Sequence, residues 1–284
     1  MISALLGLAS AFGLGIADFM SRFSSRALGP PLTYGAVLLI GTTVMTAWVV
    51  AADVQLVWSP FGWAIAVAHG ISVALMCMLL YAGLARGPIA VVASIVAVHP
   101  APVLIAQVLM GVRPTAVEWV AMTVIIIGGI LIARTASEHA DPVKAKTNRT
   151  TLIIAFGACL SYVGIVLTAQ AAAPLIGEVQ TVWIGRWSGL IFIAVILCVQ
   201  GIPFRVPREW WPYVGVQGSL DTLGYLTFVI GAATTEPHIT VVVASTFSVV
   251  TVILARVVLK EPVNSKQWAS IGLIAAGTAV LSAA

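Results

Sequence analysis

The sequence carries very little charge for its length. Only 8% of its 284 residues are Asp, Glu, Lys or Arg, whereas 60% are hydrophobic. A water-soluble domain usually has about a quarter of its residues charged, so this chain has too few charged residues to cover a surface that faces water. The composition therefore excludes a soluble protein and indicates a protein that crosses a membrane several times.

The sequence also lacks the short motifs of several enzyme classes. It contains no Gly-x-x-x-x-Gly-Lys-Ser/Thr phosphate loop, no His-Glu-x-x-His and no Gly-x-Ser-x-Gly. Cys77, Cys159 and Cys198 all lie within apolar runs, which is typical of small core residues and supports neither a disulfide nor a metal site. We therefore expect a protein that is not an enzyme and that uses no cofactor and no metal.

Apolar runs of about the length that crosses a bilayer recur along the chain, with breaks where Gly, Pro and charge cluster. A polar segment, 135–150, separates the first five runs from the last five. It holds Lys144, Lys146 and Arg149, which favours contact with anionic lipid over nucleic acid. The predicted membrane helices are 2–22, 32–51, 60–83, 88–110, 115–134, 151–172, 178–200, 209–232, 237–258 and 266–282.

Lys and Arg are concentrated on one side of these predicted helices. The loops after helices 1, 3, 5, 7 and 9 and their flanks hold nearly all of them, and the opposite side holds only Arg113. Positively charged loops stay in the cytoplasm. We therefore expect a multi-pass protein of the cell (inner) membrane, with segment 135–150 in the cytoplasm and both termini outside.

The two halves of the chain resemble each other. A shift of 148 positions lays Trp63 on Trp211 and Gly70 on Gly218, and the register holds through loops as well as helices. This predicts two repeats, 1–134 and 151–284, of five helices each. Because five is odd, the second repeat must enter the membrane from the opposite face. The sequence thus predicts an all-α membrane protein with ten transmembrane helices in two inverted five-helix repeats around a central cavity.

The stretch from Val257 to Leu281 combines an apolar helix, a short turn at Glu261-Pro262 and a helix that contains glycines. It resembles the repeat ending of the drug/metabolite transporter superfamily, EamA type, and the ten-helix layout agrees over the whole chain. The first repeat departs from the pattern, with Arg113 where the second has Glu261.

This resemblance implies a secondary transporter that exports small metabolites, with amino acids, including aromatic ones, as the favoured substrates. The alternative is an exporter of drugs or organic cations. The expected partners are a small-molecule substrate and membrane lipid, and the expected state is a monomer.

Polar side chains from both halves are predicted to lie near the middle of the bilayer. At a rise of about 1.5 Å per residue, they come roughly 12–18 Å into a hydrocarbon core about 30 Å thick. Burying polar groups at this depth costs free energy, so a structural or functional role is expected for each of them. An intramembrane enzyme would need a clustered catalytic set that faces lipid, whereas this layer is dispersed and fits a substrate site. The residues of the layer are His69, His99, Tyr162, Arg186 and Asp221.

Each of these groups admits two interpretations. Arg186 and Asp221 form either a structural ion pair or a contact for the amino or carboxylate group of a substrate. His69 and His99 either respond to protons or act as neutral hydrogen-bonding groups. Trp183, one turn before Arg186, either stacks on an aromatic substrate or packs in the core or against lipid.

Two further features lie beside this layer. Pro100 and Pro102 fall in mid-helix, where each removes a backbone hydrogen bond and forces a kink that can act as a hinge. The equivalent place in helix 9 has no proline, and Ser245 and Ser248 are its expected polar contacts. In helix 1, Asp18 and Arg22 have the spacing of an ordinary i,i+4 ion pair at the membrane interface or of an entrance gate.

Overall fold

The computed structural model describes residues 2–138, 142–232, 237–261 and 263–283, and they are predominantly helical. The predicted all-α fold of ten helices is confirmed, with two of the ten helices each broken into two parts. A turn of 3-10 helix, Arg208–Trp210, precedes α9. The helices are α1 Ile2–Leu28, α2 Pro30–Ala51, α3 Pro60–Arg86, α4 Ile89–Val96, α5 Pro100–Leu109, α6 Ala116–Glu138, α7 Pro142–Ile176, α8 Glu178–Val199, α9 Trp211–Ala232, α10 Pro237–Ala244, α11 Phe247–Val258 and α12 Ser265–Ala283.

Several helices have the length and composition of membrane spans. Among the described residues, six are long and apolar enough to cross a bilayer, with α4 and α5 counted as one path, Ile89–Leu109. Large apolar side chains remain exposed on the outside of the bundle, including Leu109 at 84% and Val199 at 83%. Apolar exposure on this scale fits a surface covered by lipid.

Helix ends depart from the predicted boundaries around the polar segment and in helix 1. α1 continues to Leu28, six residues beyond its expected end, and α6 continues to Glu138. α7 begins at Pro142, so residues 142–150, which were expected in the linker, form its first turns. Proline is favoured at the first position of a helix, and the lysines and alanine that follow have good helix propensity.

Turns that lie 148 positions apart, one in each half, have similar backbone dihedral angles. Gly29, between α1 and α2, has φ 84° and ψ 147°, and Gly177, between α7 and α8, has φ 81° and ψ 154°. A positive φ of this size favours glycine, which has no Cβ. The ends of α2 and α8 match in the same way, with Asp53 at φ 47° and Gly201 at φ 65°. The internal repeat therefore extends to the backbone of its turns.

Helices of one half pack on helices of the other half, in pairs that the internal repeat relates to each other. α1 packs on α9 and α3 packs on α7, while α2 contacts α8 and α6 contacts α12. A two-fold axis between the halves would generate this pattern, because each pairing maps either onto itself or onto its counterpart. The α6–α12 pair contacts the rest of the bundle chiefly through the broken helices, so it lies to one side.

Both broken helices are interrupted at the same place in the repeat. The first break, at 97–99, precedes Pro100, and the second, at 245–246, lies 148 positions later without a proline. In the first, the His99 N–H donates to the Val96 carbonyl at 3.0 Å, and in the second the Thr246 N–H donates to Val243 at 3.1 Å. The hydroxyls of Ser245 and Thr246 also bond to backbone carbonyls, both at 2.7 Å, an arrangement that bends helices.

Candidate functional site

A central cavity of about 340 Å³ lies between the two halves of the bundle. Its size falls within the range of small-molecule pockets, about 300–1,000 Å³. Helices from both repeats form its walls, including the ends that flank the two breaks. The predicted residues that line it are His69, His99, Pro100, Tyr162, Arg186, Asp221 and Ser245.

Arg186 and Asp221 form an ion pair across the cavity wall and so join α8 to α9. Arg186 Nη1 lies 2.6 Å from Asp221 Oδ2, and the side chains are 9% and 18% exposed. The guanidinium carbon lies 5.8 Å from the centre of the Tyr225 ring, within the range of a cation–π contact. Nε and Nη2 donate to no other described residue, so donors remain on the arginine for a ligand.

Asp18 also lines the cavity, and it lacks the partner expected for it. Instead of pairing with Asp18, Arg22 turns to Glu261, with Nη2 and Oε1 3.6 Å apart. Among the described residues, the Asp18 carboxylate has no ion pair and no hydrogen bond. Asp18 and Asp221 line the same cavity. The predicted Asp18–Arg22 pair is therefore wrong, and an unpaired carboxylate faces the cavity.

The two histidines are held by carbonyl groups of the backbone. His69 is 2% exposed, and its Nδ1 lies 3.2 Å from the carbonyl oxygen of Ile165. His99 Nδ1 lies 3.1 Å from the carbonyl of Val96, and its ring stacks on Tyr162 with centroids 3.9 Å apart. A carbonyl oxygen only accepts, so in both rings we assign the proton to Nδ1. The carbonyl fixes the orientation of each ring and, in a neutral ring, its tautomer.

A close helix crossing brings His69 and Arg186 to the same cavity wall. At Gly70, next to His69, a Cβ atom would overlap the carbonyl oxygen of Gly185 and the hydroxyl of Ser188. Small residues at such crossings let two helix backbones touch. The absence of a side chain at Gly70 therefore lets α3 approach α8 at the level of the site.

Three of the expected site residues lie outside the lining. Trp183 turns toward α2, where its indole N–H donates to Thr46 Oγ1 at 3.0 Å. Pro102 is two residues past Pro100, about 200° around the helix, so it cannot share the same face. Ser248 lies in the first turn of α11. It is 8% exposed and is not part of the cavity wall.

Several residues of the cavity wall are not among the predicted site residues. On α9, Tyr225 and Phe228 follow Asp221 at i+4 and i+7, which is the spacing of one helix face. On α2, Tyr34 lines the cavity and makes an edge-to-face contact with Tyr81, with centroids 5.5 Å apart. The α9 pair could have been found from helical periodicity once Asp221 was placed on the wall.

Comparison with known proteins agrees with the fold. A crystal structure of a protein with 18% sequence identity superposes with a TM-score of 0.66, covering 98% of this chain and 95% of that one. No curated protein matched the chain. The model of the EamA-like transporter family matches two stretches, residues 1–134 and 149–283. With almost the whole length matched, the chain belongs to the EamA-like transporter family.

Proposed function

We propose that this protein is a secondary transporter that exports amino acids, including aromatic ones, by alternating access through the central cavity. The family is one of membrane transporters of small molecules. The observation that carries the finer proposal is the charge arrangement of the lining: an arginine with unused donors and a carboxylate with no partner face one cavity. These are the complements of the carboxylate and the ammonium group of an amino acid.

Arg186 is the receptor for the carboxylate. Its planar guanidinium can bind a carboxylate through two parallel hydrogen bonds. Asp221 engages only Nη1, so Nε and Nη2 can bind the substrate while the ion pair persists. The pair then orients the guanidinium and contributes to binding, which joins the two interpretations considered for it.

Asp18 is the receptor for the ammonium group. An ionised carboxylate with no partner is costly in a site largely shielded from water, and a bound cationic group offsets that cost. Tyr162, Tyr225 and Phe228 add aromatic walls to the same cavity, and such walls suit an apolar or aromatic side chain.

Alternating access fits the arrangement of the halves. In this proposal the repeats are inverted, the termini lie outside and segment 135–150 lies in the cytoplasm. Discontinuous helices beside a midplane site are common in transporters built from inverted repeats. The breaks at 97–99 and 245–246 both adjoin the cavity, and we take them as the points at which the two halves flex.

One observation favours a second candidate, an exporter of organic cations. The lining holds two carboxylates, Asp18 and Asp221, but one guanidinium, Arg186. When all three groups are ionised, their charges sum to one negative charge. A ligand with one positive charge and no carboxylate would neutralise that charge, whereas a zwitterion would leave it unchanged.

Counterflow in proteoliposomes tests both candidates with ligands that share one ring. Vesicles loaded with unlabelled ligand are given labelled phenylalanine, phenylethylamine or phenylpropionate, which present both charges, only the positive charge or only the negative charge. We expect exchange of phenylalanine and of related amino acids in a wider panel. Exchange of the amine alone would replace the proposal with the organic-cation exporter. Failure of every amino acid in folded, reconstituted protein would overturn it.

A further inference from the structure

The end of the bundle opposite the chain termini contains an ion pair between the two halves. Arg22, near the end of α1, lies 3.6 Å from Glu261, in the turn between α11 and α12, and both side chains are 13% exposed. Arg22 Nη1 also donates to the carbonyls of Leu84, at 3.2 Å, and Gly87, in the turn between α3 and α4. Arg22 therefore connects α1 to the end of α3 in its own half and to the α11–α12 turn in the other half.

Glu261 has a second role at the start of α4. Its carboxylate accepts the backbone N–H groups of Ile89 at 3.3 Å and Ala90 at 3.4 Å. The first N–H groups of a helix have no partner within the helix, and a carboxylate placed there is stabilised by the helix dipole. The Arg22–Glu261 pair thus fastens α1, the start of α4 and the α11–α12 turn together. We call this set of contacts the latch.

A buried chain of hydrogen bonds lies at the same end of the bundle, next to a residue of the cavity wall. Ser24 Oγ donates to Gln217 Oε1 at 2.8 Å, and Gln217 Nε2 donates to the Tyr81 hydroxyl at 3.1 Å. Ser24 and Gln217 are fully buried, and Tyr81 packs on Tyr34, which lines the cavity. A substrate entering from this end would have to separate these groups.

Among the residues that the structure describes, no counterpart of the latch is seen at the opposite end. The shift of 148 positions carries Arg22 to Gln170 and places Arg113 opposite Glu261. Gln170 accepts a hydrogen bond from Gln107 at 3.3 Å on the surface. Arg113 is exposed and has no ion pair with any residue that the structure describes. In the described part of the chain, the latch is therefore seen at one end of the bundle and is not repeated by the shift of 148 positions.

We infer that the Arg22–Glu261 latch is the gate that holds the cavity closed to the face of the membrane where α1 ends. This rests on the proposed alternating access, in which that face is the cytoplasmic one. To open, the α11–α12 turn must leave Arg22 and release the first N–H groups of α4. Weakening the latch therefore shifts the protein toward a state open to this face, while the same change at the other end has no such effect.

Cys77 gives a direct readout because it is the cysteine that lines the cavity. In a Cys159→Ala/Cys198→Ala background, labelling of Cys77 by the membrane-impermeant thiol reagent MTSET is timed from each face of membrane vesicles. A parallel sample carries Arg205→Cys in the exposed α8–α9 loop at the latch end. The side of the vesicle from which this cysteine is labelled is the latch face.

We expect Glu261→Gln and Arg22→Gln each to raise the labelling rate from the latch face roughly tenfold, which corresponds to about 1.4 kcal/mol. The effect of the double variant should be smaller than the sum of the two single effects, because both changes remove the same ion pair. Arg113→Gln, the matched change at the other end, should label like the parent. Arg22→Gln removes the ion pair but leaves the Glu261 carboxylate at the start of α4. This variant therefore shows whether loss of the ion pair alone raises the labelling rate.

An unchanged labelling rate in both single variants, measured on protein that elutes as a single folded species, overturns the gate. An equal rise in Arg113→Gln also overturns it, because the effect would then not be specific to the latch. The assay needs no substrate. A protein that fails to exchange amino acids but opens when the latch is weakened would refute the proposed substrate and leave the gate standing.

Discussion

The Arg186–Asp221 pair allows the structural and the functional interpretation of a buried ion pair to be separated. Asp221→Asn removes one charge and leaves the guanidinium without a counter-ion, and Arg186→Gln does the reverse. The double variant removes both charges and keeps two amides that can hydrogen-bond to each other. The three variants therefore separate the cost of an unpaired charge from the need for that charge in transport.

The size of the effect follows from the geometry. The side chains are 9% and 18% exposed, so water screens the pair weakly. At a separation of about 4 Å between charge centres and an effective dielectric constant near 20, the attraction is about 4 kcal/mol. Removing one partner of a buried pair typically costs about 3–5 kcal/mol because the other charge stays buried. We expect each single variant to lose stability of this order, and the double variant to recover most of it.

Unfolding by SDS in mixed micelles measures the stability, and counterflow with phenylalanine measures transport. We expect both single variants to lose both properties and the double variant to regain stability without regaining transport. Arg113→Gln, which removes an exposed cation, is the control and should match the parent in both assays. Parent-like transport by the double variant would refute the reasoning, because Arg186 would then have only a structural role. Parent-like stability of Asp221→Asn would refute the energetic estimate.

The remaining predictions concern single side chains around the cavity. Asp18→Asn should raise the half-saturating phenylalanine concentration about 10- to 150-fold, since a charge-assisted hydrogen bond contributes about 1.5–3 kcal/mol; no rise would exclude contact with the ammonium group. His69→Gln and His99→Gln should keep the parent's pH dependence of exchange, because both rings serve as neutral hydrogen-bonding groups; a flattened profile would give them a proton role. Gly70→Ala should reduce the yield of folded protein, whereas Gly215→Ala, with nothing within 4 Å of the added Cβ, should not; equal yields would contradict the tight crossing.

The polar layer could be predicted from sequence because helical rise is constant. Counting residues from the predicted helix ends placed His69, His99, Tyr162, Arg186 and Asp221 at similar depth. All five line the cavity. The depth of a residue does not determine the direction in which its side chain points. Trp183 has a suitable depth but faces α2, and residue counting could not predict this.

Asp18 was misplaced because the end of α1 was misplaced. With a predicted end at residue 22, Asp18 falls near the membrane surface, where an i,i+4 pair is ordinary. With the observed end at Leu28, it lies ten residues inside the helix, roughly 15 Å from its end. In the extension, Arg26 Nε donates to the carbonyl of Ala85 in α3 at 2.7 Å. A single sequence does not reveal such a contact.

The break in the ninth predicted helix had no local signal as strong as proline. Its position was predictable only through the repeat, because residues 245–246 lie 148 positions beyond 97–98. The hydroxyls of Ser245 and Thr246 serve there in place of a proline by bonding to backbone carbonyls. The same bend is thus encoded in two chemically different ways in the two halves.

The distribution of charge in the cavity decides which ligand the protein prefers. With both histidines in the neutral form that the proposal assigns to them, the groups that can carry charge in the cavity are Asp18, Arg186 and Asp221. A zwitterion leaves the sum at one negative charge but gives Arg186 and Asp18 a partner each, whereas an amine cancels the sum and leaves the unused donors of Arg186 without an acceptor. Buried donors left unpaired cost about 1–3 kcal/mol, and phenylalanine should therefore exchange better than phenylethylamine. Arg186→Gln removes that cost, so any exchange that survives in this variant should shift toward the amine, and an unshifted preference would mean that Arg186 does not contact the ligand.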